Sequence, residues 1–389
     1  MKLRRTRAAT CALVAALTLG TTAGTLAVSG TAFAAPAADA KQHGKTVLSG
    51  AAAEVAADGT VTLTWTASGK ASAVRVYAST HPTLPALTGR QVAVVNGSSA
   101  TVTGLDPAQR WYFQLVPDGN PFGGVVVAQR GLGLPDAPNA RDIGGYRTAN
   151  GFTVRYGQVF RSDALIKLND AELAKLAKLG VDTAADLRTD FEVNLNGPDK
   201  VPAGTDVLRV PVSDGGMYAK LNEVIASKDP VKQAEALGNG KAEQLLIDAN
   251  KSFVADASQR QQFAAVLKKI AAGETVLYNC SAGKDRTGWM TAIILSAVGV
   301  DRATVTQDYL LSNTYLKASN DRTKMGLKYA GLMQNPDLLD PLLGVQKQYL
   351  DAAFDQVAKQ YGSFDRFLRD GLGLDGRTLA QLKLRLLSV

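Results

Sequence analysis

The run Thr275-Val-Leu-Tyr-Asn-Cys-Ser-Ala-Gly-Lys-Asp-Arg-Thr-Gly288 decides how this chain folds. Thr275 to Tyr278 reads as a short buried strand and Thr287 to Val298 as an apolar helix, with a loop of small and polar residues between them. A strand that turns through such a loop into a helix aims about six backbone amides and a positive helix terminus at one small volume. That volume is an anion site, and it favours a thiolate over a thiol. Cys280 at the loop's start sets a nucleophile beneath a bound anion, and Arg286 at its end sets a bidentate cation beside it. Gly283 allows the loop to bend back, while Gly288 lets the following helix pack closely.

Alternation of strand and helix extends outward from this loop. Val154 to Arg161 reads as extended, Asp170 to Leu179 as a helix capped by Asn169, and Val181 to Leu187 and Asp206 to Val212 as strands. Gln261 to Ile270 is helical. The expected class is therefore α/β, with a mainly parallel central sheet and helices on both faces. Met217 to about Arg260 is a polar, Lys- and Ala-rich segment with helical spacing broken by Gly238-Asn-Gly240, read as a helical insertion that serves as a lid or packs on the domain edge.

Before about residue 130 the pattern is different. Val61-Thr-Leu-Thr-Trp65 and Val74-Arg-Val-Tyr77 alternate with period two, and Trp111, Phe113 and Leu115 share one face of a later strand. With Gly, Asp, Asn and Pro punctuation this predicts an antiparallel sandwich over residues 46–129. The stretch resembles a fibronectin type III domain, with Trp65 as the early core tryptophan and Leu105-Asp-Pro107 ahead of the aromatic strand. Trp111 stands where that family usually carries a corner tyrosine, which removes the usual hydroxyl bond to backbone. Such units are most often spacers or adhesive modules.

The N-terminus has the order of a secretory signal: Lys2, Arg4, Arg5 and Arg7, then apolar residues from Ala8 to Leu19, then small residues ending Ala32-Phe33-Ala34. Cleavage is expected after Ala34, leaving a linker over 35–45 and a secreted chain whose one remaining cysteine is Cys280, since Cys11 departs with the leader. Arg4 and Arg5 leave Sec and Tat export both open. The formal charge of +8 falls to +4 with the loss of those four cations, because the leader holds no acid. That is too mild a balance to argue for nucleic acid. Trp289 to Val300 is well short of the roughly 18 apolar residues a transmembrane span needs.

Histidine is nearly absent: the chain has 2, His43 and His81, both far upstream of the loop in sequence. This excludes Cys-His proteases, Ser-His-Asp hydrolases and His-rich metal sites, and no metal or cofactor is implied. A proton donor for a leaving group must then be a carboxyl. Asp285 in the loop, Asp214 after the strand ending at Val212, and Asp186 in Asp-Leu-Arg188 are the candidates.

The string Ala282-Gly-Lys-Asp-Arg-Thr-Gly288 behind Cys280 resembles the Cys-dependent phosphatase superfamily, and within it the bacterial secreted tyrosine and lipid phosphatases. Asn139-Ala-Arg-Asp-Ile-Gly-Gly-Tyr-Arg147, Val159-Phe-Arg-Ser-Asp163, Ala185-Asp-Leu-Arg188 and Tyr361-Gly-Ser363 extend the match over residues 132–389. The resemblance implies a phosphate cradle of Ser281, Ala282, Gly283, Lys284, Asp285 and Arg286 and attack by the Cys280 thiolate on phosphorus. It further implies a phosphocysteine intermediate, a Thr287 hydroxyl that eases sulfur's departure, and as the acid either Asp285, as in the related bacterial enzymes, or Asp214, at the place where many other members of the superfamily carry theirs. The implied substrates are phosphotyrosine, phosphoserine or phosphothreonine in proteins, and phosphoinositides. Lys284 as a second cation resembles the tensin-type lipid phosphatases and favours a multiply charged phospholipid head group. Asn279 stands where many members carry a histidine that orients the loop and tunes the thiolate; an amide can donate a hydrogen bond but carries no charge, so the Cys280 thiolate is expected to be less favoured than is usual in the family. Sulfur transfer of the rhodanese kind, and a loop that only binds phosphate, are the other readings of the same residues.

Overall fold

The computed structural model describes residues 46–56, 58–69, 73–117 and 123–388, so the expected leader and linker, with Cys11 and His43, lie outside the described residues. Seven strands come first: β1 Val47–Val55, β2 Val61–Ser68, β3 Val74–Ser79, β4 Arg90–Val95, β5 Ser99–Val102, β6 Tyr112–Pro117 and β7 Val125–Ala128. They form two antiparallel sheets, ordered β1-β2-β5 and β4-β3-β6-β7. Period-two alternation buries Val61, Leu63 and Trp65 of β2 against Val74 and Val76 of β3 and Phe113 and Leu115 of β6. The Trp111 indole nitrogen donates to the Asp106 carbonyl at 2.9 Å, so this side chain bonds backbone through an N–H although it has no hydroxyl. One strand departs from simple alternation. Every residue of β6 is buried, so its outer face is covered too.

A third sheet is ordered β12-β11-β13-β10-β8, with β8 Arg141–Asp142, β10 Val159–Ser162, β11 Thr183–Asp186, β12 Asp206–Arg209 and β13 Val276–Asn279, while the short β9 Thr153–Val154 lies outside it. Its β12, β11, β13 and β10 run parallel, and β8 joins β10 antiparallel at the edge. The central strand β13 is flanked on both sides and wholly buried, as its run of Val276, Leu277 and Tyr278 requires. α1, Asp170–Ala177, starts at a capping box: Asn169 accepts from the amides of Ala171 and Glu172, and Glu172 reaches back to the Asn169 amide.

The segment read as an insertion folds as α2 Met217–Ala226, α3 Pro230–Leu237 and α4 Lys241–Ala255, with breaks at 227–229 and 238–240. All three helices pack into the main core, α2 through Ile225 and α3 through Leu237. Ala242, Leu246, Ala249, Phe253 and Val254 of α4 belong to the main core, and residue 260 falls inside the next helix, α5 Ala257–Ala271. Buried residues on all sides mark α6, Arg286–Ala297, whose Trp289 packs against Phe354 and Phe367. α7, Arg302–Tyr329, crosses behind it. Among the described residues no helix is long and apolar enough to cross a membrane.

Candidate active site

Residues 280–285 connect β13 to α6, and contacts with Ser162 and Asp163, Asn139, Arg161 and Ala164 fix their path. Gly283 has φ +64°, and a Cβ there would sit 2.4 Å from both the Asp163 nitrogen and the Ser162 oxygen, so only glycine fits. The Asn139 amide donates to the carbonyls of Ala282 and Gly283 at 2.9 Å each. The Arg161 guanidinium adds a bond to the Gly283 carbonyl at 2.8 Å, and the Ala164 amide donates to the Ser281 carbonyl. With these acceptors occupied from outside, no backbone amide from Ser281 to Arg286 donates to another described residue. Free amides gathered in one loop suit an anion.

At the two ends of this loop stand Cys280 and Arg286, both buried, Cys280 as a free thiol. The guanidinium of Arg286 grips Glu192 through two nitrogens, at 2.7 and 2.6 Å, and Nη1 also donates to the carbonyls of Leu187 and Val212. The Ser281 hydroxyl donates to the same Glu192 carboxylate at 2.6 Å. Burial opposes the charge on Glu192, yet the Arg286 fork together with Ser281 and the Thr189 amide holds its pKa down at about 2. Burial likewise opposes the charge on Arg286, and the Cys280 sulfur and Glu192 outweigh it, raising its pKa above the usual range. Sequence reading overlooked Glu192. The signal that carried it was the capping box Thr189-x-x-Glu192 at the start of the helix Asp190–Asn196.

Thr287 is fully buried, and its hydroxyl has no hydrogen-bond partner among the described residues. Gly288 lies against the Tyr309 ring of α7, which a Cβ would approach to 2.6 Å. Tyr309 in turn donates to Asp285 Oδ1 at 3.1 Å. Lys284, expected as a cation on the rim, is 5 % exposed and bonds Asp285 Oδ2 at 2.7 Å and the Gly344 carbonyl at 2.9 Å. Asp285 therefore stands in the loop with one oxygen on a lysine and the other on a phenol.

The remaining candidates are placed differently. Asp214 accepts from the amides of Gly216 and Tyr218 at the start of α2, close enough that its charge acts on Arg286. Asp186 is bound by Arg188 at 2.9 and 2.8 Å and by Arg209, so both of its oxygens accept from arginine guanidinium groups. The Asn279 amide donates to Asp199 at 2.8 Å, while Asn139 and Arg161 hold the loop's carbonyls. Behind them Asp308 accepts from Arg161 at 2.8 Å and from the Tyr146 hydroxyl at 2.9 Å and pairs with Arg141. Burial opposes this carboxylate, but Arg141, Arg161 and Arg130 hold it far below the usual carboxylate range. Among the described residues no group of three or more His, Cys, Asp or Glu could hold a metal ion.

A parallel strand, a loop of unspent amides, a thiol at one end and an anchored arginine at the other make the arrangement of a Cys-based phosphatase. The chain belongs to the tyrosine phosphatase family, which matches residues 132–388. A triple specificity protein phosphatase, PtpB of Mycobacterium tuberculosis, is 32% identical over 271 residues, covering 64% of this chain and 96% of that protein. A relative from Cupriavidus necator, also named as a tyrosine-protein phosphatase, is 31% identical over 265 residues, or 68% of this chain and 90% of the relative. A tyrosine-protein phosphatase of Nostoc commune is 29% identical over 238 residues, covering 58% of this chain and 73% of its own length. The protein is a phosphatase.

Proposed function

We propose that this phosphatase hydrolyses phosphate monoesters through a phosphocysteine intermediate, with phosphotyrosine in proteins as its first substrate class and phosphoserine, phosphothreonine and phosphoinositides as further ones. The observation that carries the reading is the Arg286 fork on Glu192, which presets the guanidinium at the mouth of a loop whose amides are unspent. The Cys280 thiolate attacks phosphorus and the phosphorus–oxygen ester bond breaks. Arg286 and the amides from Ser281 to Arg286 carry the charge that builds on the equatorial oxygens. The leaving oxygen takes a proton from Asp285, which gives up its bonds to Lys284 and Tyr309 as Lys284 turns to the substrate phosphate. Water then attacks the phosphocysteine, phosphate departs, and Thr287 donates its hydroxyl to the sulfur as it leaves.

A second reading, a phosphoinositide or inositol phosphate phosphatase, is favoured by Lys284, a second cation one residue from Asp285. We read residues 46–129 as a fibronectin type III-like unit and the protein as secreted, on the residues of Met1 to Ala34. A panel of phosphopeptides, phosphoinositides and inositol phosphates decides among substrates. Hydrolysis of phosphotyrosine peptides above the others, abolished in Cys280→Ser and blocked competitively by vanadate, is the expected result. Full activity in Cys280→Ser would sink the thiolate mechanism.

A further inference from the structure

The outer face of β6 is covered from two sides: Gln114 bonds the Ala86 amide and the Gly123 carbonyl within the sandwich, and Tyr112 meets the phosphatase domain. The Tyr112 and Tyr156 rings pack with centroids 6.4 Å apart, and a Cβ on Gly157 would lie 2.9 Å from the Pro82 side chain and 3.1 Å from the Tyr112 hydroxyl. Lys178 of the phosphatase domain donates to the Ala108 carbonyl at 2.9 Å. At the centre of this contact Arg110 bonds Asp142 of β8 at 3.1 Å and the Tyr112 hydroxyl at 3.1 Å. Asp142 is fully buried, and its oxygens also accept the amides of Gly144 and Gly157. Among the described residues Arg110 is its only ion-pair partner. A buried carboxylate of the phosphatase domain is therefore neutralised from the sandwich.

Asp142 has a route to the loop. Its neighbour Arg141 bonds the Asn139 side chain at 2.5 Å, and Asn139 holds the Ala282 and Gly283 carbonyls. In parallel, Arg130, just past β7, donates to the carbonyls of Asp142 and Gly144 and stacks 4.0 Å from the Tyr146 ring. Tyr146 and Arg161 share Asp308, and Arg161 holds the Gly283 carbonyl. Each link is a bond to a buried or half-buried group, with few alternative partners on either side.

We propose that the N-terminal sandwich is a fixed part of the catalytic unit and that Arg110 is a positioning residue, which shapes the Cys280 loop through Asp142, Arg141 and Asn139. This goes beyond the expectation of a spacer or adhesive module, and it rests on the reading of residues 280–286 as the phosphate-binding loop. Removing the guanidinium leaves Asp142 buried and unpaired, and water or displacement of β8 must satisfy it. Displacing β8 moves Asn139, and the loop carbonyls follow.

The test uses the full-length chain and an aryl phosphate. Arg110→Ala lowers kcat about tenfold, changes KM less, and weakens vanadate inhibition by a similar factor, while circular dichroism at the assay temperature shows a folded protein. Arg110→Lys restores part of both values. Should Arg110→Ala fail to fold, Arg110→Gln carries the test, because it keeps a hydrogen-bond donor in place and still leaves the Asp142 charge without a cation. Wild-type kcat and vanadate inhibition in a folded Arg110→Ala, or in Arg110→Gln when the alanine variant does not fold, would overturn the proposal. Cys280→Ser, assayed in parallel, probes the loop separately: activity in that variant counts against the phosphate-loop reading and leaves the Arg110 comparison to be judged on its own kinetics.

Discussion

Glu192 places both carboxylate oxygens on the guanidinium of Arg286, at 2.7 and 2.6 Å, from a helix 94 residues earlier in the chain. A guanidinium held at one edge has its remaining edge set in direction before any ligand arrives, and such presetting is where an arginine gains over a lysine.

Glu192→Gln tests this directly. The amide keeps the shape of the carboxylate but turns an NH2 toward the guanidinium, and the Ser281 bond loses its charged acceptor. Loss of about a hundredfold in kcat is expected, in line with removal of one preorganised charge-stabilising group, with a smaller change in KM. Steady-state kinetics on an aryl phosphate is the measurement, and a variant within twofold of wild type would contradict the role.

Acid stability should carry the same pair. The folded pKa of Glu192 is depressed to about 2 from an ordinary 4.5, so its contribution is fully present above about pH 4.5 and is lost as pH falls toward 2. The shift corresponds to at most about 3 kcal/mol. Urea unfolding of wild type and Glu192→Gln should show a stability gap at pH 6 that narrows by pH 3. A gap of constant size across that range would mean that the carboxylate's charge is not what stabilises.

For the proton donor, Asp285→Asn and Asp214→Asn should be compared on two leaving groups. With Asp285 as the acid, Asp285→Asn loses at least about a hundredfold on a phenyl or alkyl phosphate and far less on an activated nitrophenyl ester, which needs little protonation. Asp214→Asn should show no such dependence on the leaving group. The reverse pattern would transfer the role to Asp214.

Gly288 and Gly283 should fail in different ways. Gly288→Ala pushes a methyl into the Tyr309 ring, costing about 1–3 kcal/mol and loosening Tyr309 from Asp285; Tyr309→Leu in the same chain should recover part of the stability. Gly283→Ala meets backbone atoms of Ser162 and Asp163 that cannot turn aside, so its activity should be lost without such a rescue. Thermal unfolding and kcat of the three variants check both statements.

Local pattern was enough for much of the architecture. The strand to Tyr278, the loop and the apolar helix were legible because their periodicity and composition are properties of neighbours in the chain, and so was the capping of α1 by Asn169. The partners of Lys284 were hidden for a related reason. A lysine in a loop looks solvated until the turn brings the Gly344 carbonyl and Asp285 to its ammonium group.

By itself, then, the sequence determined the class of fold, the strand-loop-helix unit and the two residues, Cys280 and Arg286, that bound its loop. Tertiary structure alone decided what holds that loop: Glu192 on Arg286, Asn139 and Arg161 on the carbonyls, and Asp186 withdrawn into pairs with Arg188 and Arg209. It also decided that the sandwich touches the phosphatase domain, through Arg110 and Asp142. Periodicity records which face of an element is buried but not which distant charge is buried with it, and a buried charge takes its partner from whatever the folded chain brings within about 3 Å.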